Sequence, residues 1–242
     1  MGTPGKAAEL QSTRHPLQRF EAPSKGFSGA LHSTSYGWHL QFLTIIGLAL
    51  STLTFLLALL SDLTSATPPS PPTSLSTHLF AAKNALSSVA TPLALTISTL
   101  YWPLRLAALH LVLPPGMPLP PLHADLGFHA VPAGALVLDA VALSPPGEWG
   151  AGARLAGCGV VAGAYWVWID MCYAKNGFYP YPLFEVLGTG QRVLLFGAAA
   201  ATMWAVGGVV SAVYAWVNGY EVSEAEMKVR RAQMMGQNGK WE

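Results

Sequence analysis

The fold turns on the stretch Asp125–Leu143, DLGFHAVPAGALVLDAVAL. It is 19 residues long and almost wholly apolar, yet it carries His129, Pro132 and Asp139. A helix needs about 20 apolar residues to cross a bilayer, so the stretch reads as a membrane span. Ionisable side chains inside a span are costly and face a protein interior or a wet cavity. An imidazole there titrates near neutrality and needs a partner. Pro132 lacks an N–H, which leaves the carbonyl of Phe128 without its helical donor and opens the backbone beside His129. The partner of His129 is therefore expected from another span.

Outward from that stretch, the whole chain keeps the same character. Of 242 residues only 10% are charged and 52% are hydrophobic, with a mean hydropathy of +0.38, which fits a polytopic membrane protein and not a soluble domain. The net charge is +1 and no basic run marks a nucleic-acid partner. Cys158 and Cys172 lie in one apolar segment. In a helix that spacing is roughly 21 Å, too far for a disulfide. The first 37 residues are polar, so no cleavable signal peptide is expected. The histidines are scattered without metal-ligand spacing, and no glycine loop cradles phosphate, so no metal and no cofactor is expected.

Taken in order, a polar arm (1–37) precedes a bundle (38–217) and a polar tail (218–242). The expected class is all-α, a polytopic transmembrane helix bundle with spans at about 38–60, 85–104, 125–143, 155–173 and 192–217. Thr44, Ser51, Thr52 and Thr54 are the strong hydrogen-bonding groups in the first span, and the default fate of such a hydroxyl is a bond to the carbonyl one turn earlier. SDLTSATPPSPPTSLSTH after it reads as an extended, unpacked connector, and LPPGMPLPPLH as another. Pro92 and Pro103 are expected to kink the second span. Gly159-x-x-x-Gly163 in the fourth permits close helix–helix approach.

Charge sets the orientation of such a bundle through Lys and Arg on the inner side. With five spans and the amino end inside, 7 Lys/Arg lie inside against 6 outside, which is no bias. One more crossing near Ala30–Ser35 would give 10 inside against 3 outside. The charge pattern is thus written for six spans, and one is expected to be missing between about Leu31 and Tyr36.

On either count the spans 38–60 and 125–143 run in the same direction. Thr44 and His129 each lie a few residues inside the entering end, at about the same depth of 5–6 Å. A histidine beside a hydroxyl can take its proton and make it a nucleophile. Asp139 lies ten residues beyond His129, about 15 Å deeper, and cannot orient that imidazole. Asp170, on an antiparallel span, returns to the level of His129 and is the accessory candidate by depth.

Three blocks carry a resemblance: GWHLQFLTIIGLALSTLTFLLALLSDLT, LGFHAVPAGALVLDAVAL and YWVWIDMCYAKNGFYPYPLFEVLGTGQRVLLFG. In order and spacing they resemble the androgen-induced/androgen-dependent TFPI-regulating family, its fungal-type branch above all, over Arg14 to Asn218. The resemblance implies an integral-membrane hydrolase with a threonine nucleophile and a histidine partner, acting on fatty acid esters of hydroxy fatty acids. It maps the threonine onto Phe42-Leu43-Thr44 and the histidine onto Gly127-Phe128-His129, and it matches Asp139 to a recurring acid that is structural in character. Asp170 has no counterpart in it. The family's first span is absent where GFSGALH runs straight into STSYGWH. The implied partners are a lipid ester and the bilayer, and the implied place is the endoplasmic reticulum or another endomembrane. Two other readings fit the same features, a non-catalytic multi-pass membrane protein and a small-solute transporter. Against the transporter, Asp139 is the one ionisable group well inside a span.

Overall fold

The computed structural model describes residues 35–65, 73–113, 119–145, 147 and 150–218. Most of the polar arm, the whole tail beyond Asn218 and most of the expected missing crossing lie outside the described residues. What remains is helical, with no strand among the described residues. The elements are α1 (Leu43–Thr64), α2 (Ser74–Ala107), α3 (Leu122–His129), α4 (Val131–Leu138), α5 (Ala151–Asn176), the short α6 (Leu183–Val186) and α7 (Thr189–Asn218). The chain is an all-α transmembrane helix bundle. Exposed Leu53, Leu56, Leu59, Val160, Val167, Leu194 and Val209 cover its outside, as a lipid-facing surface requires.

Three helices are long and apolar enough to cross a membrane, namely α1, α5 and α7, or four if the bent pair α3–α4 is one span. The second of the five expected spans lies inside α2, which is long enough but not apolar enough to join them. That helix has 34 residues and runs unbroken through Pro92 and Pro103. Its polar residues are the reason it falls short. Ser76, Lys83, Ser87, Thr91 and Thr96 are buried against neighbours, because α2 sits at the centre, packed on α1, α4 and α7.

The first proline-rich connector is shorter and more tightly held than its composition suggests. α1 runs on to Thr64 and α2 starts at Ser74, and their ends interlock. Ser61 Oγ donates to the Ser76 carbonyl at 3.0 Å and Ser76 Oγ donates to the Ser61 carbonyl at 2.9 Å. Thr73 caps α2 by accepting from the Ser76 amide at 3.1 Å. Gly159 and Gly163, expected at a helix contact, face outward, and a Cβ at either would meet nothing within 4 Å. Close approach occurs instead at Gly47, where a Cβ would meet the Ile97 Cδ1 at 2.7 Å and that side chain would have to shift.

Pro132 breaks the decisive stretch, in keeping with its missing N–H. The chain bends by 41° between α3 and α4, at Ala130. Beyond α4 the helix widens into a π-turn over Asp139–Leu143, and this turn presents Asp139 to α2. Lys83 Nζ lies 2.6 Å from Asp139 Oδ2, with the two side chains only 2% and 6% exposed. Ser144 closes the group, accepting from Lys83 at 2.6 Å and donating to Asp139 at 3.1 Å. Asp139 is thus a structural ion-pair partner far from His129. Removing the cation alone strands a buried carboxylate, which costs about 3–5 kcal/mol, whereas replacing both charges by apolar side chains is near neutral. Lys83→Met is expected to lower the unfolding temperature in detergent sharply, and Lys83→Met with Asp139→Leu to restore most of it. Equal losses in the single and double variants would show that the pair does not hold α2 to α4.

Candidate active site

The helix carrying Thr44 begins later than the sequence suggests. Trp38–Gln41 form a 3-10 turn, Phe42 is extended, and α1 starts at Leu43, so Thr44 is its second residue. This decides what its hydroxyl does. Deeper in α1, Ser51 and Thr54 follow the default and bond the Gly47 and Leu50 carbonyls at 2.7 and 2.8 Å. Thr44 has no helical carbonyl one turn earlier. The Leu40 carbonyl is outside the helix and accepts from Trp168 Nε1 at 2.9 Å. The Thr44 hydroxyl is therefore left to point at another element.

That element is α3. Thr44 Oγ1 lies 3.3 Å from His129 Nε2. On the other side of the ring, Nδ1 lies 3.0 Å from Asp125 Oδ1 and 3.2 Å from the Asp125 carbonyl. Both are acceptors, so Nδ1 carries the proton and Nε2 presents its lone pair to the threonine hydroxyl. Asp125 is fully buried. It also accepts from the Tyr101 hydroxyl at 2.6 Å and pairs with the Arg105 guanidinium. Tyr101 does a second thing: its ring stacks on the imidazole, centroids 3.5 Å apart and planes 6° apart. The imidazole is held at its edge by a carboxylate and across its face by an aromatic ring.

The accessory acid expected from depth is displaced by this arrangement. Asp170 accepts from Trp166 Nε1 at 2.7 Å and from the Tyr179 hydroxyl at 3.0 Å, and it does not reach His129. Burial and the Asp170 carboxylate push the Tyr179 hydroxyl above the ordinary tyrosine range, so it stays a donor. Arg192 stacks over Tyr179 and donates to its hydroxyl, which clamps the loop after α5. Asp125 is the residue that sequence reasoning missed, because it stands at the edge of the apolar run and reads as a boundary. The signal was present in the spacing. Asp125 and His129 are i,i+4 on one helix and Tyr101 and Arg105 are i,i+4 on another, so each pair shares a face.

Thr44 and His129 open onto a cavity of about 500 Å³ whose lining is overwhelmingly apolar, with Ile97, Leu100, Phe128, Val161 and Phe196 in its walls. At the threonine end, α1 contributes polar backbone. Its first helical bonds come from Ile45 and Ile46, so the amides of Leu43 and Thr44 stand outside the ladder. Tyr181 lines the same cavity beside Leu43 and Thr44. Among the described residues no three His, Cys, Asp or Glu side chains come together as a metal site, and Cys158 and Cys172 are both free thiols.

Comparison with known proteins gives two matches. A family model described as FAR-17a/AIG1-like protein matches residues 15–215. The Schizosaccharomyces pombe protein named UPF0641 membrane protein PJ4664.05 is 30% identical over 167 residues, covering 69% of this chain and 70% of that protein. No solved structure matches.

The geometry makes a prediction that needs no substrate. Nitrogen NMR of histidine-labelled protein in micelles is expected to find His129 as the tautomer protonated at Nδ1. Asp125→Asn puts an amide donor where an acceptor stood and is expected to shift the ring toward the Nε2-protonated form. A His129 spectrum unchanged by Asp125→Asn would mean that the carboxylate does not set the tautomer.

Proposed function

The chain belongs to the FAR-17a/AIG1-like family, and we propose that it is an integral-membrane lipid ester hydrolase whose substrates are fatty acid esters of hydroxy fatty acids. The observation that carries this reading is the Thr44 hydroxyl facing the bare Nε2 of His129 at the wall of an apolar cavity of about 500 Å³. A solute pathway would call for several polar groups along its length. Here the polar groups gather around one point, and the rest of the cavity suits hydrocarbon.

In the first step His129 Nε2 takes the hydroxyl proton while Thr44 Oγ1 attacks the ester carbonyl carbon. The negative charge that develops on the carbonyl oxygen lies at the amino end of α1, where the Leu43 and Thr44 amides can donate to it. The bond from carbon to the alkoxy oxygen then breaks, and the His129 imidazolium returns its proton to that oxygen. The hydroxy fatty acid leaves, with the acyl group on Thr44. In the second step His129 takes a proton from water, the water oxygen attacks the acyl carbon, and the released Thr44 oxygen recovers the proton. Asp125 keeps the ring oriented and stabilises the imidazolium in both steps, with Arg105 and Tyr101 fixing the carboxylate. Asp139 and Asp170 serve packing. The resemblance to hydrolases of this type supports an endomembrane, such as the endoplasmic reticulum, as the protein's location.

With branched lipid esters and purified protein, Thr44→Ala and His129→Ala are each expected to lower kcat by about a thousandfold or more, and the double variant no further. Thr44→Ser keeps a hydroxyl and retains measurable turnover. Asp125→Asn is expected to cost about a hundredfold to ten-thousandfold in kcat with little change in KM, whereas Asp170→Asn stays within about threefold. Full turnover by Thr44→Ala would remove the proposed mechanism.

A further inference from the structure

The cavity has a floor, and three helices place it at the same depth. Leu93, Cys158 and Met203 line the cavity and form one buried cluster, at 3%, 2% and 4% exposure. Each can be measured against a residue at the reacting level on its own helix. On α2, Tyr101 stacks on His129, and Leu93 lies eight residues away, about 12 Å along the axis. On α5, Tyr165 donates to the Gln41 carbonyl just ahead of α1, and Cys158 lies seven residues away, about 10 Å. On α7, Phe196 packs on the Tyr165 ring, and Met203 lies seven residues on, about 10 Å. All three displacements point away from Thr44 toward the middle of the bundle, because α2 and α5 run opposite to α7. Val89, one turn further along α2, backs the cluster, and Leu50, about 9 Å along α1 from Thr44, packs against its side.

We propose that Leu93, Cys158 and Met203 form a ruler that sets the length of the acyl chain this protein accepts. The inference rests on the hydrolase reading and adds the substrate's chain length to it. An extended hydrocarbon chain advances about 1.3 Å per carbon, from a carbon–carbon bond near 1.5 Å. A depth of 10–12 Å therefore holds about eight or nine methylene groups between the ester carbonyl and the floor. Longer chains meet packed side chains, and shorter ones leave apolar volume unfilled. Each methylene mismatched in such a pocket changes selectivity by about tenfold or more.

The test is a series of umbelliferyl esters from butyryl to stearoyl, hydrolysed by the purified full chain in detergent. Beside turnover, the displacement of a fluorescent alkyl ether lipid by unlabelled alkyl ethers of the same lengths reports binding alone. The wild-type protein is expected to prefer acyl chains of about ten carbons. Met203→Trp, which fills the floor, moves the optimum shorter by about two to four carbons, and Leu93→Ala with Met203→Ala moves it longer by a similar amount. Ala200→Leu, one turn above the floor and also in the lining, supplies the filling change should the tryptophan prevent folding. Turnover by the wild type with an optimum that no floor variant moves would overturn the ruler and leave the hydrolase standing. No turnover by the wild type with any ester would overturn the hydrolase. The ether optimum then decides the ruler by itself: a shift in the floor variants supports it, and no shift overturns it.

Discussion

A carboxylate with no access to water has to be matched, and Asp125 is such a carboxylate. Its partners come from two helices. Arg105 and Tyr101 reach it from α2, and His129 reaches it from one turn further along α3. None of these bonds survives a slip of one helix along the other, so the group fixes the register of α3 against α2. That register determines where His129 points. The remaining variable is the start of α1, and Phe42 settles it by leaving the helical conformation one residue before Leu43. The pairing of Thr44 with His129 follows from these two constraints together, one electrostatic and one a matter of backbone geometry.

At the opposite end of the bundle a second buried pair does similar work without facing a cavity. Lys83, Asp139 and Ser144 close α2 onto the π-turn after α4. The two charge groups lie at the two ends of the bent segment, and the bend at Ala130 lies between them. Asp125 and Asp139 are fourteen residues apart, only about 40° apart around a helix at roughly 3.6 residues per turn, so both carboxylates face α2. α2 is the central post to which both buried charge groups are tied.

This explains which parts of the fold are legible in the sequence. α1, α5 and α7 are lined by lipid, so their apolar runs are long and nearly uncharged, and composition alone finds them. α2 reads as a span of about 85–104 and not as the full 34-residue helix, because its burial is against protein, where serine, threonine and lysine find partners, and hydropathy counts those residues against a span. Thr44 and His129 are readable because depth below a common surface is a one-dimensional quantity. Asp125 and Asp170 show the limit of that reasoning: depth ranks Asp170 as well placed, but the direction a side chain faces around its helix decides the matter, and Asp170 faces Trp166 and Tyr179. The i,i+4 relation between Asp125 and His129 carries that angular information. The glycine pair in α5 illustrates the same limit, since small residues permit a contact without saying whether a partner lies on that face.

Chemistry in such a site depends on one threonine being more reactive than the many others that line membrane helices. The most direct measurement is the site of covalent attachment when the detergent-solubilised protein is treated with a lipid-tailed fluorophosphonate and its peptides are analysed by mass spectrometry. The label is expected on Thr44, with labelling abolished by His129→Ala and unaffected by Asp170→Asn. Labelling that persists in Thr44→Ala, or that falls on another residue in the unmodified chain, would contradict the assignment of Thr44 as the nucleophile.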